Sequence, residues 1–141
     1  MKEARTKLLR LRRVERIREI ARQAAAREAA EAESTLSQLE VLTQRTQVLA
    51  ADYAGRTEAR DGAELQQISV FSRGLQGILA ASAQDAAKAR VIADDKMAEL
   101  GLAERRRAAV QDRAELQSQS VERHKISPEL GLRKGFGTEI E

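Results

Sequence analysis

The chain has 141 residues, of which 42% are hydrophobic and only 2% aromatic, with 25 Lys or Arg against 22 Asp or Glu. Alanine dominates the hydrophobic fraction and buries little surface per residue, which excludes a thick globular core. The chain has no cysteine, which excludes disulfides and thiolate metal sites. The N-terminus is unlike a signal peptide, and no stretch approaches the roughly 20 apolar residues of a membrane span, so we expect a soluble, cytoplasmic protein.

Charge is distributed unevenly along the chain. Residues 1–27 hold ten Lys or Arg against three acidic residues (+7), residues 28–64 hold three against eight (−5), and residues 65–141 hold twelve against eleven (+1). Electrostatic attraction therefore favours the docking of an acidic partner on the first of these segments.

The first predicted element is a long helix over residues 4–54, because this stretch has no glycine or proline and its apolar residues recur every three or four positions. Spacings of this kind are typical of a coiled-coil seam, in which one face of the helix needs a second helix. The predicted seam residues of the first helix are Leu11, Val14, Ile17, Ile20 or Ala21, Leu39, Leu42, Thr46, Leu49 and Tyr53.

A turn is predicted at residues 55–61. Gly55 interrupts the helical pattern, and Asp61 followed by Glu64 has the spacing of a capping box, which starts a new helix. Two further glycines weaken helical geometry over residues 72–77, so a kink or a later turn there is the alternative.

The second predicted helix follows the turn and ends before Pro128, because the residue that precedes a proline disfavours helical geometry. Its seam positions alternate strictly by four and three, and ten of the fourteen are apolar, which indicates a partner helix. These positions are 75, 79, 82, 86, 89, 93, 96, 100, 103, 107, 110, 114, 117 and 121. Residues 128–141 contain three glycines and are predicted to form a flexible tail.

The predicted fold is all-α: a long antiparallel two-helix coiled-coil hairpin over residues 1–127. A turn centred near residue 58 or 59 brings together residues whose numbers add to about 117. A parallel homodimer would instead place Lys96 and Arg107 against their own copies, where like charges repel. The antiparallel register pairs apolar residues throughout: Leu49 with Ile68, Leu42 with Leu75, Leu39 with Ile78, Ile17 with Leu100, and Val14 with Ala103.

The chain lacks the motifs that carry common chemistry. It has no phosphate-binding GxxxxGK[ST] loop, no GxGxxG, no HExxH and no cysteine cluster. Its one histidine, His124, is interpreted as a solvated cation near a helix end. We therefore expect a protein that is not an enzyme and has no cofactor or metal site.

The first candidate partner site is a basic end, where the register places Arg10 near Arg107 and Arg13 near Glu104. Three interpretations compete for it: a solvated helix surface, a nucleic-acid site, and a dock for an acidic protein. Nucleic acid is disfavoured, because the site has no aromatic residue to stack on bases and its acids repel phosphate. Docking to an acidic protein is preferred. The basic residues of this end are Arg5, Lys7, Arg10, Arg12, Arg13 and Arg16 on the first helix and Arg105, Arg106, Arg107 and Arg113 on the second.

The second candidate site is an apolar tip near the turn. A layer of two helices cannot enclose a phenylalanine on all sides, so part of Phe71 should stay open to a third surface. The alternative is that the tip is only the hairpin's own core. The site consists of Phe71, Leu75, Ile78 and Ser82 on one stripe of the second helix, beside Leu42 and Tyr53 on the first.

Three segments carry a resemblance to a known family: "LLRLRRVERIREIAR" near the N-terminus, "LQQISVFSRGLQGIL" in mid-chain, and "KMAELGLAERRRAAVQDRAEL" later. They lie within residues 5–120 and resemble the FliJ family of the flagellar export apparatus and the related YscO family of type III secretion. The glycines at 74 and 77 depart from the family pattern and imply a more flexible tip. The tail after Pro128 has no counterpart.

The resemblance implies a non-enzymatic antiparallel coiled coil similar to the central stalk of rotary ATPases. Such a protein binds the export ATPase ring, contacts the cytoplasmic domain of the export gate and helps to recycle export chaperones, so it is peripheral to the membrane without a span. The resemblance also implies which residues make each contact. The ATPase contact corresponds to Arg10, Arg13, Arg16, Arg106 and Arg107, and the gate contact to Phe71, Leu75 and Ile78 with Leu42 and Tyr53. Two alternatives are an RNA-binding or DNA-binding basic helical protein and a structural homo-oligomeric coiled coil.

Overall fold

A computed structural model of the protein describes residues 2–56 and 60–139, with side chains described up to Ile126. It contains two α-helices, α1 (Lys2–Ala54) and α2 (Gly62–Glu139), and no strand within those ranges. The helices pack against each other in opposite directions, since early residues of α1 meet late residues of α2. The predicted all-α two-helix hairpin is therefore confirmed.

The turn lies where the sequence predicts it, between the end of α1 and the start of α2. The carboxylate of Asp61 accepts a hydrogen bond from the backbone N–H of Glu64 (2.8 Å), as a capping residue should. The Glu64 carboxylate in turn accepts one from the backbone N–H of Arg60 (2.9 Å), one residue before the usual partner. Helix α2 runs without interruption through residues 72–77, which excludes the later turn.

The seam of α2 is confirmed at every predicted position. All fourteen side chains from Leu75 to Val121 are buried or half-buried, whereas the positions between them are mostly exposed. A helix with one buried stripe of this spacing is packed along a single partner. Here the partner is α1.

The predicted seam of α1 is only partly right. Leu11, Leu39, Thr46 and Tyr53 face α2, whereas the other predicted members are mainly exposed to solvent. Those exposed residues are Val14, Ile17, Ile20, Ala21, Leu42 and Leu49. The buried and half-buried residues of α1 are instead Ala4, Leu8, Leu11, Glu15, Arg18, Glu19, Arg22, Ala25, Ala26, Ala29, Ala32, Leu36, Leu39, Thr43, Thr46, Ala50 and Tyr53.

The packed helices divide into two units. The terminal unit combines α1 up to Ala25 with α2 from Leu100 onward, and the turn unit comprises Ala26–Glu99. The core of the turn unit is a cluster of Leu36, Ala89 and Ala93, with Ala32 and Leu39 packed against it. Small side chains at these positions let the two backbones approach closely, which keeps a thin core well packed.

Threonines occupy two positions of the α1 seam in the turn unit. The hydroxyl of Thr46 donates to the Leu42 carbonyl (2.9 Å), and that of Thr43 donates to the Leu39 carbonyl (2.8 Å). A hydroxyl satisfied by its own helix can be buried without leaving an unpaired polar group. Thr43 and Thr46 can therefore lie on the seam at little cost.

The register differs from the predicted one. Tyr53 stacks on Phe71, whereas the prediction places residue 64 opposite it, a displacement of about one heptad. Sliding by a heptad leaves the same residues of α2 on the seam, so periodicity alone does not set the register. The predicted pairs are therefore wrong: Leu49 with Ile68, Leu42 with Leu75, Leu39 with Ile78, Ile17 with Leu100, and Val14 with Ala103.

The predicted end of the second helix is also wrong, because the backbone of α2 continues in helical geometry past Pro128 to Glu139. A proline removes one backbone hydrogen bond and bends a helix without necessarily ending it. The side chains of residues 128–141 lie outside the described residues. The flexible tail predicted there stays a prediction.

Candidate functional site

An ion-pair network lies on the seam of the terminal unit. The Glu19 carboxylate accepts hydrogen bonds from Nε and Nη2 of Arg22 (3.0 and 2.8 Å), and its Oε2 lies 2.7 Å from Nε of Arg107 on α2. The bonds from Arg22, helped by the charge of Arg107, lower the pKa of Glu19 from 4.5 to about 2. The carboxylate is therefore ionised near neutral pH and holds two guanidinium groups.

This network corrects the predicted place of Arg107, which was assigned to a partner-binding surface beside Arg10. Arg107 is half-buried and its charge faces Glu19, although Nε makes no hydrogen bond. The predicted neighbour of Arg13, Glu104, acts instead on Arg22, whose pKa is raised by Glu19 and, to a smaller extent, by Glu104. Arg107 thus belongs to the contact between the helices, and its assignment to a partner surface stays a prediction.

Glu15, the other acidic residue of α1 between Ala4 and Ala24, is also turned toward α2. The Glu15 carboxylate lies 3.1 Å from Nη1 of Arg12, and its side chain is only 20% exposed. Between Ala4 and Ala24 the sequence holds no other acidic residue. Both carboxylates of this stretch therefore lie beside the seam, each paired with a guanidinium.

The opposite side of α1 is cationic and, at the same time, apolar. Arg10, Arg13 and Arg16 are exposed there, with no carboxylate on that side between Ala4 and Ala24. Leu9, Ile17 and Ile20 lie among them and are 60%, 63% and 67% exposed. We call this surface the arginine face; it consists of Leu9, Arg10, Arg13, Arg16, Ile17 and Ile20.

The arginine face combines two kinds of attraction. Its guanidinium groups form strong, often bidentate hydrogen bonds with carboxylates or phosphates. Its three aliphatic side chains gain free energy when a partner removes them from water. The remaining predicted arginine, Arg106, is exposed on α2 and adds positive charge to the same unit.

The second candidate site lies in the turn unit. The rings of Tyr53 and Phe71 stand 4.6 Å apart at a 59° angle, and the Arg56 guanidinium covers the Tyr53 ring at 4.3 Å. Phe71 remains 47% exposed, so the prediction that two helices cannot enclose it is confirmed. Leu42 and Ile78 are about half exposed as well. We call Leu42, Tyr53, Phe71 and Ile78 the turn patch.

Leu75, another residue predicted for the tip, belongs to the core. Only 6% of its surface is exposed, because position 75 lies on the seam of α2. Its contribution is therefore to hold the two helices together beneath the turn patch.

Sequence reasoning missed the exposure of the aliphatic residues on the arginine face. Position 107 of the α2 seam is an arginine and position 117 a glutamine, and both need polar partners. The Glu19 side chain of α1 pairs with Arg107, and the backbone carbonyl of Ala4 accepts from Gln117 Nε2 (3.0 Å). The polar residues of α2 were the signal that could have identified the correct face of α1.

The fold and the site define a two-helix hairpin with a cationic outward face. Among the described residues, no group of three or more His, Cys, Asp or Glu is placed to hold a metal ion. In the same part of the chain, neither helix has a stretch long and apolar enough to cross a bilayer. No known protein family, curated protein or solved structure matches the chain.

Proposed function

We propose that this protein is a non-enzymatic coiled-coil adaptor that docks onto an acidic protein surface through its arginine face. One observation carries the proposal: both acidic residues between Ala4 and Ala24 face the seam and are paired, which leaves Arg10, Arg13 and Arg16 outward without a carboxylate beside them. Such a surface attracts an acidic partner at long range and forms charge-assisted hydrogen bonds on contact.

In its specific form, the proposal is a stalk of a flagellar-type protein export apparatus. The resemblance of the three sequence segments to the FliJ family supports this form, as does the hairpin fold. The arginine face, with Arg106, would bind the export ATPase ring. The turn patch, through Leu42, Phe71 and Ile78, would contact the cytoplasmic domain of the export gate, and the hairpin would also engage export chaperones.

Ion pairs between the two helices suit a protein that transmits force between its partners. Such pairs cross the seam in both units, from Glu19 to Arg107, from Glu28 to Lys96 (3.2 Å), and from Glu40 to Arg90. Pairs of this kind add directional contacts to a thin core and favour one pairing of the two helices over others. A hairpin held in this way can keep its outward side chains in fixed positions.

The test is a binding measurement between the full chain and an export ATPase from a flagellated bacterium. The variant carries Arg10→Glu, Arg13→Glu and Arg16→Glu, which reverses the charge of the arginine face. The matched control carries Arg45→Glu, Arg73→Glu and Lys88→Glu, three exposed cations of the turn unit, so the net charge changes equally. Far-UV circular dichroism confirms that both variants remain helical.

We expect the first variant to lose binding by at least about 100-fold, because three charge-assisted contacts become repulsive, and the control to bind nearly as the parent does. Equal affinity of the parent and both variants would refute docking through the arginine face. If the parent does not bind the ATPase but retains RNA on a filter with a steep salt dependence, the surface is a nucleic-acid site and the export proposal is wrong.

A further inference from the structure

In the terminal unit, α1 leaves more large aliphatic side chains in solvent than it packs on α2. The stripe that faces α2 holds Leu8 and Leu11 among charged residues, whereas Leu9, Ile17 and Ile20 are exposed on the opposite side. A helix normally buries its most apolar side, because that side gains most when it leaves water. These exposed aliphatic side chains would gain free energy if a partner covered them, and they lie among arginines.

Polar residues of α2 account for the side of α1 that faces it. Burying Ile17 and Ile20 against the α2 seam would turn the Glu19 carboxylate away and leave Arg107 facing aliphatic groups, which adds a desolvation cost. The observed orientation gives Arg107 the Glu19 carboxylate and gives Gln117 the Ala4 carbonyl. Arg107 and Gln117 are thus paired within the hairpin, while the aliphatic side of α1 remains exposed to solvent.

The outward side has the spacing of a second helix-packing seam. The line at its centre includes the apolar Ile17, Ile20 and Ala24, which follow one another by three and four positions, as in a helix that packs along another. Leu9 and Arg16 lie on one flank of this line. The line itself consists of Arg10, Arg13, Ile17, Ile20 and Ala24.

We infer that an acidic amphipathic helix of the partner protein docks along the arginine face. Its aliphatic side chains cover Leu9, Ile17 and Ile20, and its carboxylates pair with Arg10, Arg13 and Arg16. The inference rests on the proposed function, since it takes the acidic partner to be a protein, and it adds the shape of the partner surface. The arginines favour acidic residues on the partner, and the spacing of the exposed apolar side chains favours a partner helix.

A lipid surface fits this geometry less well than a helix does. A helix that lies in a membrane interface separates a wide apolar side from a cationic side. Here the two kinds of residue interleave, and Arg13 stands in the middle of the aliphatic positions. A partner helix can place a carboxylate opposite that guanidinium. Nucleic acid would not use the aliphatic residues, and the face has no aromatic side chain for stacking.

The experiment compares two fluorescent peptides of about 20 residues, long enough to form helix, in binding to the full chain by anisotropy. The first is an amphipathic peptide of Leu, Ala and Glu, with leucines spaced by three and four. The second has the same composition in scrambled order, so it has equal charge but no apolar stripe. Vesicles of phosphatidylglycerol and phosphatidylethanolamine provide the lipid probe.

The test variant carries Ile17→Ser and Ile20→Ser. Its control carries Val41→Ser and Val48→Ser, exposed aliphatics of α1 in the turn unit. Ile17, Ile20 and Val48 are more than 60% exposed and Val41 is 44% exposed, so both variants should keep the fold, which circular dichroism verifies. The charge-reversed variant described above serves as the electrostatic control.

We expect the amphipathic peptide to bind the parent at least about 30-fold more tightly than the scrambled one, since two or three aliphatic side chains leave water on each side. The Ile17 and Ile20 variant should lose that preference and still bind both peptides weakly through its arginines. The control variant should behave as the parent does.

The outcomes separate this inference from the proposed function. Equal binding of both peptides to the parent, abolished by charge reversal, would overturn helix docking and leave the acidic dock intact. Binding of neither peptide would overturn both. Vesicle binding that depends on Ile17 and Ile20, without a preference for the amphipathic peptide, would replace the partner helix with a lipid surface.

Discussion

Nε of Arg107 on α2 lies 2.7 Å from Oε2 of Glu19 on α1, on the seam where the two helices of the terminal unit meet. The same carboxylate accepts two hydrogen bonds from Arg22, so one acid faces two guanidinium groups. Such an arrangement orients α1, because turning the aliphatic side of the helix inward would remove the carboxylate and leave Arg107 unpaired beside the seam.

Exchanging the two charges tests this relationship. Glu19→Arg alone brings three guanidinium groups together, and Arg107→Glu alone places two carboxylates side by side, so each should lower the melting temperature. The double variant restores an opposite-charge pair between the helices and should recover part of the loss, though not all, because Arg22 then faces a cation. Thermal unfolding followed by circular dichroism measures the three variants. Additive losses in the double variant would show that the two residues do not interact.

The depressed pKa of Glu19 predicts a loss of stability in acid. Because the folded-state pKa of about 2 lies below the ordinary value of 4.5, the ionised carboxylate stabilises the folded chain above pH 4.5, and this contribution disappears as the pH falls from 4.5 through 2. Glu19→Gln should therefore be less stable than the parent near neutral pH, and the difference should shrink in acid. Melting temperatures at several pH values measure both curves. Parallel curves down to pH 2 would contradict the assigned pKa.

The sequence predicts the seam of α2 because apolar residues recur there on one stripe only. It does not predict the seam of α1, because α1 carries two apolar stripes, and its aliphatic content favours the one that stays in solvent. Only the polar residues on the α2 seam distinguish the two stripes. The register is a separate matter, since sliding one helix by a heptad exchanges equivalent positions and leaves the periodicity unchanged.

The candidate sites were predictable to the extent that they depend on exposure. Arg10, Arg13 and Arg16 are outward, as expected from the excess of arginine over a helical segment. Arg107 and Leu75 occupy seam positions of α2, and the sequence already placed both on that seam. The sequence also predicts partner surfaces for both residues. A side chain on the seam faces the other helix, so the contact between the helices takes most of its surface.

A pair of matched leucine substitutions tests the phase of the α1 seam. Leu36 is 5% exposed and packs on Ala89 and Ala93, whereas Leu42 is 50% exposed. Leu36→Ala should lower the free energy of unfolding by about 2 to 4 kcal/mol, because it opens a cavity in a thin core, and Leu42→Ala by less than about 1 kcal/mol. Urea denaturation measures both. A larger loss for Leu42→Ala would place the seam on the stripe that periodicity alone predicts.

Two glycines in the interior of α2 offer a stabilising change. A Cβ added at Gly74 or Gly77 meets no atom within 4 Å, and neither residue has a positive φ. Each change to alanine should therefore raise the free energy of unfolding by about 0.5 to 1 kcal/mol, because alanine loses less backbone freedom in a helix. The reciprocal control is Ala80→Gly, an exposed position of the same helix, which should lose a similar amount. Urea denaturation compares the three variants with the parent. If Gly74→Ala and Gly77→Ala destabilise the chain, the helix is interrupted at residues 72–77 and the turn lies there instead.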